Sequence, residues 1–133
     1  MVLFCYGSLE FAQVMHAVTG REFAAEPAAL DGFARYRVRD GEYPGLVPEP
    51  GARTEGTLYR GLDAASSAAL DRFEGAFYER LTLEVELRDG RREAAQVYVV
   101  KAGQRAALSG EPWDKARFGR KHLEAFVSRL RVD

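Results

Sequence analysis

The chain has 133 residues, a formal net charge of −1 and one cysteine, Cys5. This net charge provides no overall electrostatic field that would favour binding of nucleic acid. A lone cysteine excludes an internal disulfide, and this is compatible with a reducing cytoplasm. The length fits one domain over residues 1–133, and 47% hydrophobic residues exclude general disorder. No apolar stretch approaches membrane-spanning length, so we expect a cytoplasmic protein without membrane or nucleic-acid partners.

In the first half, short apolar runs and the glycines that end them predict the elements. A buried strand should end at Gly7 and a helix should end at Gly20, since glycine readily adopts the conformations that end such elements. Asp40 and Gly41 predict a turn, and Pro44 with Gly45 predicts a second, non-helical turn. The predicted segments are a strand over residues 2–6, a helix over 11–18, an extended or irregular stretch over 28–39 and a loop over 43–53.

The second half has clearer signals at its boundaries. Asp63 is a suitable N-cap and Gly75 a suitable C-terminal residue for a helix between them. Alternating apolar residues on both sides of Asp89-Gly90 predict a β-hairpin. The predicted segments are a strand over 55–62, a helix over Ala64–Glu74, hairpin strands over 81–87 and 94–100, and a final helix that opens at Pro112.

These elements lack regular βαβ alternation. They predict an α+β protein with a mainly antiparallel sheet or small barrel.

Glu74 is the first candidate for chemistry, because it ends a helix at the edge of an apolar face. Desolvation raises the pKa of a carboxyl group, which suits a residue that takes and returns a proton near neutral pH. The alternative is a last-turn glutamate that points into water. Glu79 is the nearest competing acid, and Arg80 is placed to pair with either of them.

The loop Tyr6-Gly7-Ser8-Leu9 is the second candidate. Gly7 allows the backbone to approach a ligand closely, and unpaired N–H groups at the start of a following helix attract a carboxylate or an oxyanion. Ser8 can donate through its hydroxyl group. The alternative is an ordinary strand-to-helix turn in which Ser8 is a cap.

Other reactive side chains have no suitable neighbours in the sequence. Cys5 lies within an apolar strand with no histidine nearby, which indicates a small core residue rather than a nucleophile. His16 and His122 have no partner at metal-ligand spacing, so no metal site is predicted. Three tyrosines could line a pocket through their hydroxyl groups or act as partly buried packing residues: Tyr43, Tyr78 and Tyr98.

Five segments, in this order, resemble the gamma-glutamylcyclotransferase-like superfamily in its AIG2-like branch. They are LFCYGSL at 3–9, YPGLVP at 43–48, GTLYRGL at 56–62, LDRFEGAFYER at 70–80 and the hairpin from DG to VYV at 89–99. Cys5 is a departure, since related sequences often carry a small aliphatic residue there. Residues 101–133 match no motif and form a less recognisable helical tail.

The resemblance implies a small mixed, mainly antiparallel β-barrel with flanking helices. It implies a cyclotransferase that converts a gamma-glutamyl amide to 5-oxoproline and a free amine or amino acid, without a cofactor. Glu74 would be the general acid/base, and Tyr6-Gly7-Ser8-Leu9 the substrate-binding loop. Tyr43, Tyr78 and Tyr98 complete the expected substrate-binding residues.

Three alternatives remain open at this point. Within the same chemistry, the substrate could be a gamma-glutamyl amine, a gamma-glutamyl amino acid or a biosynthetic intermediate. The chain could be a non-catalytic module that binds a small ligand in the same pocket, although a pure binder of anions gains nothing from a buried negative charge. A thiol hydrolase that uses Cys5 is the third.

Overall fold

Six strands and four helices follow one another along residues 1–131, the part of the chain that the computed structural model describes. No helix within this part is both long and apolar enough to span a membrane. Short 3₁₀ turns lie at Ser8–Glu10, Gly75–Phe77 and Ala102–Ala107. In chain order the elements are β1 (Leu3–Cys5), α1 (Ala12–Thr19), β2 (Ala24–Val38), β3 (Pro44–Arg60), α2 (Ala64–Glu74), β4 (Tyr78–Leu87), β5 (Arg92–Val100), β6 (Leu108–Pro112), α3 (Lys115–Lys121) and α4 (Leu123–Arg131).

Five strands close into a barrel in the order β3-β1-β5-β4-β2, and β2 returns to pair with β3. Neighbouring strands are antiparallel except β1 and β5, which pair in parallel where Leu3 faces Gln96. Strand β6 lies outside this ring and pairs with β2. The predicted α+β class, with a small mixed and mainly antiparallel barrel and flanking helices, is confirmed.

Alternation along the strands sorts the apolar side chains into two clusters. In β5, Val97 and Val99 point to one cluster while Tyr98 and Val100 point to the other, as the two-residue period of a strand requires. The first cluster receives residues from all five barrel strands and is the barrel interior. The second lies between the barrel and α1, α2 and α4, and it forms the floor of the candidate site.

Local signals located several boundaries correctly. The hairpin of β4 and β5 turns at Asp89-Gly90, and the Gly90 N–H donates to the Leu87 carbonyl. Helix α2 spans the predicted residues and ends before Gly75, whose φ of 72° is readily adopted by glycine. Helix α1 ends in the same way at Gly20.

The predicted loop over residues 43–53 is wrong, because all of these residues after Tyr43 belong to the 17-residue strand β3. Pro44 is the first residue of this strand, a position where a missing N–H is tolerated. Only glycine fits at position 45, because a Cβ atom there would collide with Val100 and Leu108. Pairing with β2 is interrupted after Pro48, beside a register shift at residues 31–33, and this interruption accommodates the remaining turn-forming residues.

The predicted helix start at Pro112 is also wrong, because Pro112 is the last residue of β6. The indole N–H of Trp113 donates to the Glu42 carbonyl at 2.7 Å, which ties the extended chain after β6 to the loop between β2 and β3. Asp114 then caps α3 by accepting the N–H of Ala116 at 2.9 Å. The helical part of the tail therefore begins after β6 and consists of two helices, with a break at His122.

The close packing of β1 on β3 gives the first testable prediction. A Cβ atom at Gly56 would lie 2.7 and 2.9 Å from atoms of the Phe4 ring and closer still to the Cys5 carbonyl oxygen. Gly56→Ala should therefore lower the free energy of unfolding by about 1–3 kcal/mol, as overpacking does. Urea denaturation measures this change. Gly110→Ala is the control, since a Cβ there meets no atom within 4 Å, and equal stability of the two variants would contradict the prediction.

Candidate active site

A cavity of about 310 Å³ opens between the barrel and the helices. All the residues selected from the sequence as catalytic or substrate-binding line it: Glu74, Tyr6, Gly7, Ser8, Leu9, Tyr43, Tyr78 and Tyr98. They lie in the turn after β1, immediately before β3, at the end of α2, and in β4 and β5. Residues distant in sequence therefore meet at one place, although their roles in binding and catalysis stay predictions.

Glu74 is the last residue of α2 and lies against the apolar part of the cavity. Its carboxyl group has no hydrogen-bond partner among residues 1–131. Burial raises the pKa of this carboxyl group to about 8, and the negative charge of Asp71 adds to the effect. A group with this pKa exists in both protonation states near neutral pH, which is what a proton shuttle requires.

Asp71 precedes Glu74 by one turn of α2 and is fixed by two partners. The Tyr98 hydroxyl donates to Asp71 Oδ1 at 2.6 Å, and Arg80 Nε lies 3.2 Å from the same oxygen. These contacts hold a negative charge beside Glu74. Asp71 thus acts on Glu74 through its charge, because it raises the free energy of the ionised Glu74 carboxylate.

The turn after β1 presents a set of free hydrogen-bond donors. The Glu10 N–H donates to the Gly7 carbonyl at 3.0 Å, which closes the 3₁₀ turn. Within residues 1–131, the N–H groups of Gly7, Ser8 and Leu9 have no acceptor. Ser8 is 7% exposed, and its hydroxyl group also has no partner among the residues described. Such a cluster of donors at a cavity wall is suited to an anion.

Gly7 is required by the close approach of Pro44. A Cβ atom at position 7 would lie 2.7 Å from Pro44 Cγ and 2.9 Å from Cδ. Any side chain there would displace either the turn or the start of β3. The glycine thus allows β3 to close one side of the cavity.

Three of the lining tyrosines are hydrogen-bonded through their hydroxyl groups. Tyr6 donates to the Tyr98 carbonyl at 2.5 Å, and Tyr78 donates to the Pro44 carbonyl at 2.6 Å. Tyr98 donates to Asp71, as described above. Burial raises the pKa of all three phenols above the usual value, so they remain protonated donors. These contacts make the three rings fixed walls of the cavity.

Part of the cavity wall was not selected from the sequence. Phe73 and Phe77 flank Glu74 in the chain, so their proximity to it was available as a local signal. Phe126 reaches the cavity from α4 and contacts Phe73 edge-on, with ring centroids 6.2 Å apart. No local pattern indicates this contact, because it depends on how the tail packs. Tyr43, 42% exposed, contributes a further aromatic ring to the lining.

The Cys5 thiol lines the same cavity but lies in an unreactive environment. Its residue is buried, and burial raises the pKa of the thiol well above its usual value, with the charge of Glu74 as a further cause. A raised pKa leaves little thiolate at neutral pH. This agrees with the sequence interpretation of Cys5 as a core residue.

The sequence and the fold of the chain resemble those of known proteins. The family model described as gamma-glutamyl cyclotransferase, AIG2-like, matches residues 3–115. AIG2-like protein C of Arabidopsis thaliana is 32% identical over 127 residues, which cover 95% of this chain and 73% of that protein. The chain therefore belongs to the gamma-glutamyl cyclotransferase, AIG2-like, family.

Solved structures support the same fold. The solution structure of an Arabidopsis thaliana protein superimposes with a TM-score of 0.75 at 27% identity, covering 98% of this chain and 87% of that one. A structure described as a gamma-glutamyl cyclotransferase gives a TM-score of 0.68 at 14% identity, with 98% and 86% covered. The second likeness shows the shared fold alone.

The Asp71 charge generates a prediction about Glu74. Asp71→Asn keeps an oxygen that accepts from Tyr98 but removes the charge, so the pKa of Glu74 should fall below its value of about 8. Carbon-detected NMR titration of the Glu74 carboxyl group measures this directly. Asp89→Asn, in the hairpin turn, is the control and should leave the titration unchanged. The same Glu74 midpoint in all three proteins would exclude the Asp71 effect.

Proposed function

We propose that the protein is a cyclotransferase that converts a gamma-glutamyl amide to 5-oxoproline and a free amine or amino acid. The observation that carries this proposal is the shared cavity of Glu74, desolvated and without a partner among residues 1–131, and the free N–H groups of Gly7–Leu9. One group can move a proton, and the other can hold an anion. The family membership of the chain supports the same chemistry.

The substrate's α-carboxylate is best placed at the N–H groups of Gly7, Ser8 and Leu9. It carries a full negative charge at neutral pH, and these donors have no other acceptor in the described part of the chain. The α-amine is attached to the same carbon atom as the carboxylate. It must therefore lie close to the turn, and Glu74 lines the same small cavity.

Glu74 then acts twice. The ionised carboxylate takes a proton from the α-ammonium group, and the freed amine attacks the γ-carbonyl carbon. A C–N bond forms in the five-membered ring while the original amide C–N bond breaks. The protonated Glu74 gives its proton to the leaving nitrogen. It then takes the second proton that the ring nitrogen loses on becoming the lactam N–H and passes it to the freed amine, so the amine leaves as an ammonium ion and Glu74 ends in its starting state.

The remaining task of the protein is to fold the substrate. The nucleophile and the carbonyl group belong to one molecule, so a bound conformation that brings them together removes much of the entropic barrier. The rigid walls formed by Tyr6, Tyr78 and Tyr98 suit this task, because their hydroxyl groups are tied to backbone or to Asp71. Neither step requires a redox change or a second substrate.

Replacement of the acid tests the mechanism. Glu74→Gln should retain the fold and lower 5-oxoproline release by about 10²–10⁴-fold, because an amide cannot take and return the proton. Mass spectrometry of 5-oxoproline from a panel of gamma-glutamyl amines and amino acids measures the activity. Glu79→Gln is the matched control, since Glu79 is exposed on β4 nearby.

The panel also separates the alternatives. Equal turnover by Glu74→Gln and wild type would contradict the assignment of Glu74. Ligand-induced thermal stabilisation of the wild type without any product would instead favour a non-catalytic binding module.

The charge of the cavity wall predicts which leaving groups are favoured. Of the residues within 1–131 that line the cavity, only Glu74 carries a charge, and the rest of the wall is rich in aromatic rings. A carboxylate on the leaving group would be desolvated there without a cation. We expect kcat/KM to be at least about 10-fold higher for gamma-glutamyl-phenethylamine than for gamma-glutamyl-phenylalanine. These substrates differ only by that carboxylate, and equal or reversed values would contradict the expectation.

A further inference from the structure

Arg35 contacts the back of the donor-rich turn, outside the cavity. Its Nη1 donates to the Tyr6 carbonyl at 2.6 Å. Resting on the proposed function, we infer that Arg35 is a positioning residue that strengthens carboxylate binding at Gly7–Leu9 by acting through the Tyr6–Gly7 peptide. The inference adds a cationic residue from β2 to the machinery of the site.

The trans geometry of the Tyr6–Gly7 peptide determines how Arg35 can act on the turn. The C=O of Tyr6 and the N–H of Gly7 belong to one peptide unit and point in opposite directions, and residues 1–131 contain no cis peptide. Arg35 binds the carbonyl end, so the N–H end points away from Arg35. A charge-assisted hydrogen bond to the carbonyl polarises the peptide and makes its N–H a stronger donor.

The setting of Arg35 preserves the strength of this effect. The Arg35 side chain is only 21% exposed, and its guanidinium lies over the Trp113 ring, 5.3 Å from the centroid. In such a partly desolvated position a charge is screened less than at the surface. Trp113 follows β6 directly, so the segment without a recognisable motif helps to hold Arg35 behind the turn.

Glu10 connects this cation to a second one. Glu10 Oε2 lies 3.6 Å from Arg35 Nη1, and Lys115 Nζ lies 3.5 Å from Glu10 Oε1. The Thr57 hydroxyl also donates to Oε1 at 3.1 Å. One nearly buried carboxylate is thus shared between two cations and a hydroxyl group. Glu10 therefore orients Arg35 while neutralising only part of the positive charge of Arg35.

The Ser8 side chain adds a fourth donor to the turn. Its hydroxyl group lines the cavity without a partner among residues 1–131, although Ser8 as a residue is more than nine-tenths buried. The hydroxyl oxygen is accessible from the cavity, so a ligand oxygen there would accept from it together with the three N–H groups.

The test compares an anion with its neutral analogue. Calorimetry or NMR titration at pH 7 gives the Kd of 5-oxoproline and of 5-oxoprolinamide for wild type, Arg35→Gln, Arg35→Lys and Glu10→Gln. Arg35→Gln should bind 5-oxoproline about 10-fold more weakly and the neutral amide unchanged, a difference of about 1.4 kcal/mol. Arg35→Lys should be intermediate because it keeps the charge but not the guanidinium geometry. Glu10→Gln removes the negative charge but keeps a side-chain oxygen that can accept from Thr57 or Arg35, so it should bind 5-oxoproline at least as tightly as wild type.

The two ligands separate an electrostatic role from a structural one. If Arg35 only maintains the shape of the turn, Arg35→Gln weakens both ligands equally; that result, or unchanged binding of both, overturns the inference. Thermal unfolding of each variant identifies any that fail to fold, and Arg35→Lys then decides.

Product release measured in parallel keeps the two proposals apart. If the wild type turns over substrate but the Arg35 variants show no selective loss of 5-oxoproline binding, the proposed cyclotransferase activity stands and the role of Arg35 is rejected. If the Arg35 variants lose 5-oxoproline binding selectively but the wild type shows no turnover, the role of Arg35 stands and the cyclotransferase activity is rejected. A wild type that binds no 5-oxoproline overturns the carboxylate site.

Discussion

The cost of keeping one carboxyl group away from water is the constraint on which the site depends. An exposed glutamate would be ionised at neutral pH and would be a poor proton donor. The end of α2 places Glu74 between apolar walls, and burial with the charge of Asp71 raises its pKa to about 8. Arg80 and Tyr98 in turn hold Asp71 in place. The raised pKa of Glu74 thus depends on the helix end, a packed aromatic wall and one ion pair.

The donor-rich turn depends on the barrel in a similar way. The turn after β1 lies against the start of β3, and only glycine at position 7 fits against Pro44. The side of the turn away from the cavity is held by side chains of β2 and β3, since Arg35 binds the Tyr6 carbonyl and the Tyr59 hydroxyl binds the Leu9 carbonyl at 2.7 Å. The carbonyl groups of Tyr6 and Leu9 are thereby satisfied, and that of Gly7 accepts the Glu10 N–H. A short turn acquires a definite geometry from rigid strands.

Sequence reasoning succeeded where the deciding contacts are local. The hairpin at Asp89-Gly90 and the limits of α2 follow from turn and cap residues, and the place of Glu74 at a helix end follows from Gly75. It failed where long-range pairing decides. Pro44 and Gly45 have the local character of a turn, yet pairing with β2 makes them the start of a long strand. Contacts that depend on the packing of the tail, such as those of Phe126, leave no periodic trace in the sequence.

The tail explains how the chemistry and the selectivity of the site can be separate. The motifs of the first hundred residues supply Glu74 and the turn, to which we assign proton transfer and anion binding. The tail contacts this unit from two sides, with Trp113 beside Arg35 behind the turn and Phe126 in the cavity wall. A change in the tail can therefore alter the proposed leaving-group side or the proposed anion site without touching Glu74. Because Phe126 lies beyond the matched residues 3–115, family membership alone does not determine that part of the wall.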